Sequence, residues 1–165
     1  VQLIGVLIDP NYQEAQAQAR ELREASQSMD VEVHIANARN PEELEHAFAS
    51  LVEEKAGALL VTADPFFDTK RDRIVAFAAE HRMPAIYQFR EYAAAGGLMS
   101  YGISLVEGYR QVGAYAGQIL KGAKPSDLPI VQSVKYEFIL NMKTATALGL
   151  DLSPAILARA DEVIE

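Results

Sequence analysis

The sequence predicts an α/β protein, a three-layer αβα, doubly wound arrangement around a mainly parallel sheet. Three observations carry that reading. Short apolar runs alternate with helical stretches through the first 97 residues. The first run, Leu3 to Ile8, shows no polar–apolar alternation, as expected of a strand covered on both faces. Repeated strand–helix–strand units demand parallel pairing with right-handed crossovers.

The elements follow in order. After the first strand, Asp9, Pro10 and Asn11 open a polar helix over roughly 12–28, with Ala15, Ala19 and Leu22 at helical spacing. Val31, Val33 and Ile35 place a second strand at 31–36. Asn40-Pro41-Glu42-Glu43 supplies a cap, a proline at the first helical position and a third-position glutamate. Leu44, Ala47, Phe48, Leu51 and Val52 then form one apolar stripe. Gly57 to Thr62 reads as the third strand, 68–82 as the third helix and Pro84 to Gln88 as the fourth strand. From Gly96 the rhythm changes. A short strand (98–101) leads through the capping box Ser104 to Glu107 into a helix over about 105–121, ended by Gly122. Lys124 to Pro129 reads as a linker. A strand at 136–140, a short helix from Asn141 to Leu148 and a last helix opened by Ser153 and Pro154 complete the chain.

Composition narrows the function. The 165 residues are 50% hydrophobic and 23% charged, a globular balance, and cysteine is absent, so disulfides and thiol chemistry are excluded. Fifteen basic against 23 acidic residues give a net charge of −8. That sign opposes the counterion release that drives nucleic-acid binding, so no nucleic-acid partner is expected. No apolar run reaches the roughly 18 residues that span a bilayer, and no membrane insertion is expected. The chain begins at Val1, directly before an apolar strand, which reads as processing or a boundary.

In an open parallel sheet, ligands bind beyond the C-terminal strand ends where strand order reverses. With an order of 2-1-3-4, that crevice lies between the loops after strands one and three. Those loops contribute Asp9, Asn11 and Tyr12 on one side, and Thr62, Asp64, Phe66 and Phe67 on the other. A carboxylate beside aromatic faces suits a partly apolar ligand with an ammonium group. The competing reading makes each aspartate a helix cap before a proline. The loop after strand four adds Phe89, Arg90 and Glu91, where Arg90 would clamp a ligand carboxylate or pair with a neighbouring acid. Tyr101 ends a later strand, where its hydroxyl would face the crevice or serve strand packing.

Catalytic templates fail in turn. His34, His46 and His81 match no metal spacing, and neither a nucleophile elbow nor a phosphate-binding loop is present. The expectation is no enzyme, no metal and no cofactor.

Residues 57–67, Pro84 to Tyr87, Gly96 to Gly102, Tyr109-Arg110, Ile119 to Gly122, Asp127 to Pro129, Asn141 to Ala145, Ala147 to Leu150 and Ala158 to Glu165 follow one another as in a known family. Together they resemble the C-terminal half of bacterial ABC-importer solute-binding proteins with the type I periplasmic-binding fold, some of which take aromatic amino acids. The resemblance implies a periplasmic or extracytoplasmic receptor that closes two lobes on a small solute and presents it to an ABC permease. It implies a Rossmann-like ligand-binding lobe over 1–97, a 98–135 segment packed on an N-terminal lobe, and a return to the first lobe over 136–165. Asp64 matches the strand-end acid that faces a ligand ammonium. The tyrosines and phenylalanines near the loops suggest an aromatic or branched amino acid as solute; a small-molecule-sensing regulatory domain of the same fold is the alternative. With its apolar side chains, the helix at 105–121 is expected either to fold back on the sheet or to pair with a second copy as a homodimer.

Overall fold

The strands are Leu3–Ile8 (β1), Glu32–Asn37 (β2), Ala58–Val61 (β3), Ala85–Tyr87 (β4), Met99–Ile103 (β5), Tyr136–Asn141 (β6) and Glu162–Ile164 (β7). They form one sheet in the order β2-β1-β3-β4-β5-β6-β7. This is a computed structural model, describing residues 2–131 and 135–165. Val1 and residues 132–134 of the expected 98–135 segment lie outside the described residues. Neighbouring strands are parallel except β5 and β6, which run antiparallel with Ile103 opposite Tyr136.

The helices are Ala15–Ser28 (α1), Pro41–Glu53 (α2), Pro65–Thr69 (α3), Arg71–Glu80 (α4), Arg90–Ala94 (α5), Leu105–Leu120 (α6), Met142–Leu148 (α7) and Pro154–Leu157 (α8). The step from β1 to β2 goes one way along the sheet and the later steps go the other. Right-handed crossovers therefore place α1 on one face and α2, α4 and α5 on the opposite one. Leu7, Phe48, Leu59, Phe67, Phe77 and Tyr87 anchor the larger core. Val6, Ile8 and Ala15 anchor the smaller one beneath α1, with Leu22, Val33 and Leu60 packed around them. Phe48 and Phe77 stack at 4.0 Å between ring centroids.

Several element bounds differ from the expectation. The first helix starts at Ala15 rather than near residue 12, because Asp9 Oδ1 accepts from the Asn11 amide (2.8 Å) and the next residues form turns. The third helix is two helices broken at Lys70, the first opened early by Asp64 and Pro65. The last helix stops at Leu157, and 162–164 form β7, drawn to β6 by Asp161, whose Oδ2 accepts from the Phe138 amide (2.8 Å). Finally, Met99–Ile103, assigned above to the segment beyond the first lobe, is β5 of this sheet.

The helix at 105–121 forms as α6, with Ser104 accepting from the Glu107 amide, but it does not fold back: none of its residues is buried. Val106, Tyr109, Val112, Ile119 and Leu120 are exposed along it. Tyr101 and Tyr136, stacked at 5.7 Å on β5 and β6, are exposed as well. No helix among the described residues is long and apolar enough to cross a membrane.

Candidate functional site

Strand order reverses between β1 and β3, the place where the doubly wound rule puts a ligand crevice. Leu7 pairs with Val61, which brings the Asp9 and Asp64 loops side by side at the C-terminal edge. Both aspartates are buried, Asp9 at 8% exposure and Asp64 at 6%. Asp64 caps α3: its Oδ1 accepts from the amides of Phe66 (2.7 Å) and Phe67 (3.3 Å). Capping and a place in the crevice are therefore compatible for this residue. Burial raises the Asp64 pKa above the ordinary carboxylate value; the two amide bonds oppose that rise, while the charges of Asp9 and Asp68 add to it. A cation entering the crevice would relieve this strain. Among the described residues no group of three or more acidic or histidine side chains is placed to hold a metal ion.

The other candidates divide. Asn11 is exposed and Tyr12 half-buried against the α1 core, both beside Asp9. Phe66 is half-buried on the same turn as Asp64. Phe89 and Glu91 are half-buried at the start of α5, a helix where a loop was expected. Thr62 gives its hydroxyl to the Leu7 carbonyl (2.9 Å), tying β3 to β1. Phe67 is fully buried in the main core and presents nothing to a ligand. Arg90 is engaged elsewhere: its guanidinium grips Glu162 with both arms, one bond being 2.7 Å, which raises its own pKa and lowers that of Glu162. The neighbouring acid that holds it comes from β7, 72 positions away, which no local reading could name. Tyr101 lies on β5, exposed and stacked on Tyr136. His34 Nε2 bonds Ser50 Oγ (2.7 Å) between β2 and α2, His81 packs on Phe77, and His46 is exposed on α2.

One residue at this edge, Asp68, escaped the sequence reading. Asp68 Oδ1 accepts from Gln88 Nε2 (2.8 Å) and from the Tyr92 hydroxyl (3.1 Å). Asp68 stands four residues after Asp64, the spacing that shares a helix face, and that signal was legible.

A doubly wound sheet places its switch point where small ligands bind in such folds, and two buried acids stand there. The family model of ABC transporter substrate-binding proteins matches residues 1–164, and the chain belongs to that family. The family is one of solute-binding proteins rather than an enzyme class. Among solved structures, the chain is similar to an ABC domain in complex with L-Trp from Streptococcus pneumoniae (23% identity, TM-score 0.84, 99% of this chain and 55% of that one). It is also similar to a conserved domain protein from Vibrio cholerae (21%, TM-score 0.82, 99% and 55%). A third is a ligand-free, open substrate-binding protein with adhesive properties from Clostridium difficile (22%, TM-score 0.69, 99% and 54%). At these identities the likeness is one of fold, and the chain spans about half the length of each. Comparison with curated proteins gave no match.

Proposed function

We propose that the chain is the solute-binding lobe of an extracytoplasmic receptor that serves an ABC permease. Its solute is a small amine with an apolar body, an aromatic or branched amino acid. The observation that carries this is the pair of buried aspartates, Asp9 and Asp64, at the switch point of a family member, with Phe66 beside them. Asp64 faces the ammonium, and Asn11, Tyr12, Phe89 and Glu91 line the rim around it. The L-Trp complex of the pneumococcal neighbour supports the solute class.

We further propose that the apolar stripe of α6 and the Tyr101–Tyr136 pair pack on a second α/β lobe. The support is the bare stripe itself and the half-length match to two proteins of TM-score above 0.8. Sedimentation of this chain as a concentration-dependent dimer would instead assign the stripe to a second copy.

Isothermal titration of L-tryptophan, L-tyrosine and L-leucine into wild type and D64N tests the solute. One of them should bind, and loss of a charge-assisted bond of about 1.5–3 kcal/mol should weaken it about 10- to 150-fold in D64N. Equal binding by both proteins refutes the role of Asp64.

A further inference from the structure

We infer that Asp68 is a positioning residue for the crevice, holding the helix that carries Asp64 and Phe66 against the junction of β4 and α5. Helix α3 has five residues, far fewer than the about 12–15 a helix needs to persist unaided, so its place must come from tethers. One tether is apolar, the buried Phe67 ring. The polar one is Asp68, one turn beyond Asp64 and joined to it by the bond from the Asp68 amide to the Asp64 carbonyl (3.2 Å).

The two donors that meet on Asp68 Oδ1 are themselves fixed. Tyr92 is buried and stacks on Tyr87 at 4.7 Å. The Gln88 backbone lies against Gly102, where a Cβ would run into the Gln88 carbonyl. A carboxylate only accepts, so the Gln88 amide must turn its NH2 toward Asp68. Both donors flank the start of α5, so one carboxylate oxygen sets the distance from the Asp64 turn to the Phe89–Glu91 rim. The arrangement persists although Asp68 and Asp64 carry like charge on one helix face, a repulsion that adds to the raised Asp64 pKa.

The consequence for binding rests on the proposed solute reading; the positioning itself does not. Amide hydrogen exchange, measured by NMR on wild type, D68A and D68N, separates the two. Phe66 and Phe67 donate their amides to Asp64 and report its placement. D68A should speed their exchange by about 10-fold while β1 amides keep wild-type protection, the pattern of local opening. D68N retains an oxygen that accepts both donors and should stay within about 3-fold of wild type. Unchanged Phe66 and Phe67 exchange in D68A would overturn the inference, leaving Phe67 as the sufficient anchor. Faster exchange in β1 as well would overturn it too, marking Asp68 as a general stability residue. In L-tryptophan titrations D68A should weaken binding more than D68N does. If wild type binds none of the amino acids tested, the solute reading fails and the exchange result stands by itself.

Discussion

Replacing Asp64 separates its two duties, capping a helix and burying a charge. Asp64→Ala removes the oxygen that the Phe66 and Phe67 amides share, a loss of about 1 kcal/mol for an N-cap. Asp64→Asn keeps a cap of equal rank and should cost within about 0.5 kcal/mol. In a chain of this size, about 1 kcal/mol lowers Tm by about 2–4 °C. The pH dependence reports the second duty. Burial, then the Asp9 and Asp68 charges, raise the folded pKa of Asp64 against its two amide bonds. A carboxyl raised above its unfolded value of about 3.9 holds more protons folded than unfolded. Its contribution is therefore most favourable at low pH and declines as pH rises from about 3.9 through the folded pKa. Asp64→Asn cannot titrate and lacks that decline. Thermal melts of wild type, D64A and D64N from pH 3.5 to 7.5 should show D64N gaining on wild type as pH rises, with D64A below D64N throughout. A wild-type-to-D64N difference that stays flat with pH would refute the buried-acid reasoning. Coincident D64A and D64N curves would refute the cap.

Further substitutions probe the frame around the crevice. G102A places a methyl against the Gln88 backbone and should destabilise by at least about 1–3 kcal/mol in urea melts, since backbone yields less readily than a side chain. N141A removes the α7 cap and one of two donors to the Ala93 carbonyl, which keeps the Gly96 amide (3.1 Å), together about 1–3 kcal/mol by the same assay. R90A breaks a half-exposed ion pair and should cost under about 1 kcal/mol at neutral pH. Because Arg90 lowers the Glu162 pKa, that small deficit should vanish as pH falls through the folded value, below the unfolded value of about 4.3. F77A opens the stacked core and should cost about 3–5 kcal/mol by calorimetry, with binding assays run well below its lowered Tm.

The Asn40-Pro41 start of α2 and its apolar stripe were legible because every interaction that decides them lies within a few residues. So were the Ser104 cap of α6 and the buried run of β1. The doubly wound class followed from the alternation of such local signals, and the crevice between the first and third loops followed from the class. What failed locally was decided at a distance. Tyr92 and Ala93 are buried against a core built from several elements, so a helix, Arg90–Ala94, begins within the loop expected after the fourth strand. Asp161 finds the Phe138 amide 23 positions back and makes a strand of the tail. Arg90 finds Glu162, 72 positions away, and pairs with it. Fold class and family are written in periodicity, caps and motif order, which are short-range properties of the chain. Which side chains at the C-terminal edge are already engaged depends on ion pairs and buried hydrogen bonds, and these form only between distant elements that the sheet brings together.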